Sequence, residues 1–153
     1  MCSNSVNRCL LVLALVWSST ALATLSCTLS SATVAFGLYD PTAAVGDAAT
    51  GTITVNCNGN FNAVLSLSKG NGAGASYSGG RLMTRTGGQT LLYNLYTTAW
   101  LTQVFGDGTG GSFKVNVSGN NHTSQPIWGF MPARQSGVLS GTYLDTLVAT
   151  ISY

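Results

Sequence analysis

Apolar and polar residues alternate with period two along most of this chain, and no stretch keeps the 3.6-residue period of an amphipathic helix convincingly. The clearest alternation is in the last segment, Leu144–Tyr153. Leu147, Ala149, Ile151 and Tyr153 share one face there, and Thr146, Thr150 and Ser152 share the other, with Val148 as the exception. Such a pattern predicts a strand with one buried face. Thr50–Asn58 alternates as cleanly, with Ile53, Val55 and Cys57 set against Thr52, Thr54 and Asn56. Ala63, Leu65 and Leu67 predict a third strand, and Thr28–Phe36 predicts the first. Arg81–Met83, Leu91–Thr97, Phe113–Val117 and Tyr143–Ser152 complete the set, with a Gly-, Ser- and Asn-rich loop over Lys69–Gly80 and a turn at Gly106–Gly111. Short strands at this spacing predict an all-β sandwich with no second domain or internal repeat. The final strand runs to the last residue. A sandwich that stops on an apolar strand is expected either to hide that edge by its own topology or to take a strand from another chain.

The first residues change the reckoning of the rest. A weakly positive start with Arg8, an apolar run over Leu10–Trp17 and Ala21-Leu22-Ala23 predict a secretory signal peptide over residues 1–23, cut after Ala23. The apolar run is too short to span a bilayer. The mature domain is then 24–153, with no membrane span. Cys2 and Cys9 leave with the signal. Cys27 and Cys57 remain, and two cysteines in an oxidising compartment most simply form one disulfide.

Only 7% of residues are charged, and the sequence has no Glu. Lys69, Arg81, Arg85, Lys114 and Arg134 are scattered, so nucleic-acid binding has no electrostatic basis. Low charge with much Gly, Ser, Thr and Asn suits a secreted β-protein that assembles. The sole histidine, His122, lies in the polar stretch Gly119–Thr123 and reads as a solvated loop residue, because no carboxylate spacing gives it a catalytic partner. One His and two oxidised cysteines make no zinc site. Lys69–Gly74 has its Lys before the glycines, the reverse of a phosphate loop. Gly106-Asp107-Gly108 has too few carboxylates for calcium. No cofactor, metal or catalytic residue is expected. Trp100 and Trp128, with Tyr93 and Tyr96, are the candidate aromatics for stacking on a sugar or receptor, against the commoner reading of core or sheet-face packing.

Several phrases, in order, resemble the spore coat protein U domain family, which includes subunits of archaic, Csu-type chaperone–usher pili. They are Cys27 near the mature start, Phe36-Gly37-Leu38-Tyr39-Asp40, Gly51-Thr52-Ile53-Thr54-Val55-Asn56-Cys57, Arg81-Leu82-Met83, Leu92-Tyr93-Asn94-Leu95-Tyr96 and Gly141-Thr142-Tyr143-Leu144-Asp145. The resemblance implies an immunoglobulin-like sandwich lacking its last strand. A periplasmic chaperone would lend that strand, and another pilus subunit would replace it by strand exchange at an outer-membrane usher. Leu147, Ala149, Ile151 and Tyr153 would form the acceptor strand. The expected product is a non-enzymatic subunit of a surface fimbria, passing through the periplasm and serving adhesion and biofilm formation. Only Thr24, Leu25 and Ser26 precede Cys27 after the expected cut, so this subunit is expected to accept a strand without donating one, at a fibre end or tip. The rival readings are an extracellular or spore-coat structural protein of the same fold and a carbohydrate-binding module.

Overall fold

Seven strands carry the apolar alternation in the computed structural model, which describes residues 24–153; the expected signal peptide lies outside the described residues. They are β1 (Cys27–Leu29), β2 (Asp47–Leu67), β3 (Arg81–Arg85), β4 (Thr90–Tyr96), β5 (Val115–Met131), β6 (Tyr143–Leu144) and β7 (Ala149–Ser152). All pairings between them are antiparallel. The sheet runs in the order β1-β2-β5-β4-β3-β6, and β7 pairs with β2 off that path.

The two strands expected over Thr50–Asn58 and Ala63–Leu67 are one. β2 and β5 form the long ladder on which the rest is built. Between Asn56 and Asn60 the register slips: β2 advances from 56 to 60 while β5 moves back only from His122 to Asn120. The extra residues form a bulge, which bends a strand and increases its twist, so the ladder curls instead of breaking into a hairpin. Before the bulge β2 pairs with β1, and beyond it with β7. His122 therefore sits in β5 opposite Asn56 and not in a loop, although it is exposed as expected.

Two further expectations need correction. The first strand spans only Cys27–Leu29, and after Ser30 the chain leaves the ladder over residues 31–36. The last strand is broken at 145–148, because β6 pairs with β3 while β7 pairs with β2. The chain crosses from one edge to the other at that break.

The curled sheet encloses Ile53, Val55, Phe61 and Leu65 of β2, Leu91, Tyr93 and Leu95 of β4, and Ile127 and Met131 of β5. Phe105, from the segment between β4 and β5, is fully buried and completes the core. Burying one such ring is worth about 1.5–3 kcal/mol.

Candidate functional site

The break in the last strand and the early end of β1 lie across from one another. Between them is a cleft of about 610 Å³. One rim is Leu29–Val34; the other is Tyr143–Leu147 with Ala149. Its floor is apolar: Ile53, Leu67, Met83, Tyr93, Leu95 and Ile127.

The first rim exists because of what lies under it. After Ser30, whose N–H donates to Thr54 O at 2.9 Å, the chain lifts off β2 and leans over the sheet. Glycines make room there. A Cβ on Gly51 would stand 2.8 Å from Thr33 O, and one on Gly129 would stand 2.6 Å from Phe36 Cζ. Phe36 in turn meets the Tyr93 ring edge to face at 5.9 Å between centroids. The disulfide Cys27–Cys57 joins residues directly opposite each other in the β1–β2 ladder and fixes the start of this rim.

The second rim hangs on a few polar groups. Ser68 donates its N–H to Val148 O and accepts the Val148 N–H on its Oγ, both at 2.9 Å. Asp145 sits at the crossover. Its Oδ2 accepts the Tyr93 hydroxyl at 2.8 Å and its Oδ1 accepts the Asn71 N–H at 2.9 Å. Burial first, and then the hydrogen bond to Asp145 and its charge, push the Tyr93 phenol far above its ordinary range. Among the described residues no main-chain hydrogen bond engages 31–36 or 145–147, so each rim carries a stretch of main chain whose N–H and C=O groups have no main-chain partner. A groove with an apolar floor and unpaired main chain on both sides is the complement of an extended strand with alternating apolar side chains.

Beneath this rim lies one of the five scattered basic residues of the mature chain. Arg81 is completely buried. Its Nε and Nη2 donate to Ser68 O at 3.2 and 2.8 Å, its Nη2 also to Phe105 O at 2.6 Å, and its Nη1 to Asn94 Oδ1 at 2.7 Å. The guanidinium lies 5.3 Å from the centroid of the Tyr77 ring. Burial lowers its pKa, opposed by Tyr93, Tyr77, Asp145 and Asp107, but a guanidinium stays protonated.

A family model of the spore coat protein U domain matches residues 13–150. The chain belongs to the spore coat protein U domain family. The match begins ahead of the cut expected after Ala23. The family is structural, not enzymatic. Among solved structures, this spore coat protein U domain is similar to a chain in the chaperone–tip adhesion subunit pre-assembly complex from the archaic chaperone–usher Csu pili of Acinetobacter baumannii. The identity is 16% and the TM-score 0.57, over 85% of this chain and 40% of that one. At that identity the likeness is one of fold, and it fits the expected incomplete immunoglobulin-like architecture. The domain spans less than half the length of the protein it matches. No curated protein sequence matches it.

Of the four residues expected on the acceptor strand, the structure brings Leu147 and Ala149 to the cleft. Ile151 is half-buried in β7 opposite Leu65, packed against the core and outside the cleft lining. Tyr153 is 56% exposed, and its hydroxyl accepts the Cys27 N–H at 3.2 Å, joining the two termini of the described chain. The two candidate stacking tryptophans lie on separate elements. Trp128 is half-buried in β5, paired with Thr50 on one side and Tyr96 on the other. Trp100 stands 86% exposed in the turn after β4, so packing does not account for it.

Proposed function

We propose that this protein is a structural, non-enzymatic subunit of a chaperone–usher pilus, and that its cleft accepts a β-strand from another chain. A periplasmic chaperone fills it first, and a neighbouring subunit fills it after delivery to an outer-membrane usher. The observation that carries the reading is the cleft itself, with an apolar floor and a stretch of unpaired main chain in each rim, 31–34 in one and 145–147 in the other. Membership in the spore coat protein U domain family and the fold shared with a Csu pilus complex support it. The route takes the protein through the periplasm to a surface fimbria.

The place in the fibre follows from the other end. With cleavage after Ala23, Thr24–Ser26 are the residues ahead of Cys27. Asn58 ties them down, its Nδ2 donating to Thr24 O and its Oδ1 accepting the Ser26 N–H, both at 2.9 Å. Three residues reach about 10 Å at roughly 3.3 Å each, too short to run along a neighbour's groove. Such a subunit ends a fibre, most naturally at the tip, where the exposed Trp100 would serve adhesion and biofilm formation.

Co-expression with a pilus chaperone is the test. The expected result is a soluble one-to-one complex that Leu147→Asp abolishes. Equal yields of a stable, strand-free monomer with and without chaperone would overturn the reading.

A further inference from the structure

We infer that Arg81 is a positioning residue for the cleft: it holds the second rim in place through Ser68, so that the rim is ready when a strand arrives. This rests on the cleft being a strand acceptor.

Ser68 ends the β2 edge and uses all of its polar groups. Its N–H and Oγ hold Val148, and its C=O accepts two N–H groups from Arg81. The same guanidinium holds Phe105 O, from the segment that follows β4, and Asn94 of β4, whose Nδ2 donates to Tyr77 O at 3.1 Å. Three separate stretches of chain thus meet on one side chain at the point where β2 runs out of ladder partners. Carbonyls buried there need donors, and a planar fork with five N–H groups satisfies several at once from a fixed position. Lysine carries a compact ammonium with no such fork, and an apolar residue leaves the carbonyls unpaired. A side chain that served the core alone would not need to converge on the residue that carries the rim.

The test is hydrogen–deuterium exchange on the full mature chain, as wild type, Arg81→Lys and Arg81→Met, each also with a strand fused after Tyr153 through a flexible linker. Phe61→Leu, in the core on β2 just past the bulge, controls for general destabilisation. With the cleft empty, both Arg81 variants should speed exchange at Val148 and through β7, the hydrogen-bonded stretch that anchors the rim, by at least about tenfold, since bonds to a charged donor are lost. Phe61→Leu should not single out that segment. In the fused chain the new strand pins the rim from the other side, and the Arg81 variants should regain most of the protection. A uniform rise over the whole chain, or no rescue by the fused strand, overturns the role of Arg81. Should Arg81→Met fail to fold, Ser68→Ala cuts the Oγ bond to Val148, with the longer one from the Gly70 N–H, leaves the Ser68 carbonyl to Arg81, and must loosen the same segment selectively. If the fused strand leaves both rims of the wild-type protein unprotected, the strand-acceptor reading fails instead, whatever the Arg81 variants do.

Discussion

Replacing Cys27 and Cys57 together by serine removes the cross-link that fixes the first rim of the cleft. The two residues are 30 positions apart. In the chain-entropy model, closing a loop of that length restricts the unfolded chain by about 12 cal/mol/K, or roughly 3.5 kcal/mol at 25 °C. Both side chains are only half-buried, so the exchange of sulfur for oxygen adds little. A loss of this size is a large share of the 5–15 kcal/mol typical of a domain. It corresponds to a fall in Tm of roughly 10–15 °C for a domain of this size. Urea denaturation of the strand-fused chain, wild type against the double serine variant, measures it. The midpoint should fall by the stated free energy, and the slope should rise, because the uncrosslinked denatured chain exposes more surface. Wild type treated with a reductant should match the variant. A loss below about 1 kcal/mol, or a reductant effect absent in the wild type, would refute the view that this bond restrains the unfolded chain.

Leu147→Asp puts a charge on the cleft rim that an entering strand must bury, at several kcal/mol; chaperone pull-down should recover none of it, and wild-type recovery would remove Leu147 from the interface. Tyr93 is an acid whose folded-state pKa lies above its unfolded value of about 10, so its contribution is whole below pH 10 and lost as pH rises beyond it. Thermal unfolding from pH 7 to 11 should show that decline. Tyr93→Phe should flatten the decline by about one proton and cost about 1.5–3 kcal/mol at pH 7 through the bond to Asp145; equal alkaline slopes would contradict the assignment. A Gly129→Val side chain would collide with Phe36 and Val34, destabilising by about 1–3 kcal/mol, whereas Gly59→Ala meets nothing within 4 Å and should stay within about 0.5 kcal/mol. Denaturation midpoints check both, and a neutral Gly129→Val would place the 33–36 segment elsewhere.

Much of this was legible in the alternation of residues. The all-β class, the inward faces of Ile53 and Val55, the disulfide and the half-buried Leu147 and Ala149 all follow from period two and two surviving cysteines. What escaped depends on partners far along the chain. Cys57-Asn58-Gly59-Asn60 carries turn residues, and only the ladder with β5 reveals a bulge inside one strand. Val34 and Phe36 continue an apolar alternation, but glycines at 51 and 129 let them lean over the sheet and leave the ladder. The break in the last strand needs Asp145 to meet Tyr93 and Asn71. Arg81 shares an alternation phase with Met83 in β3, and that inward position was the one local sign that its charge lies in the core.

The central claim is that the two rims form one groove for a single incoming strand. Amide exchange measured over residues 31–36 and 145–147, in the mature chain with and without a strand fused after Tyr153, tests it directly. Both segments should gain protection together when the strand is present, since one strand hydrogen-bonds to both. Protection of one rim alone, or of neither, would contradict it.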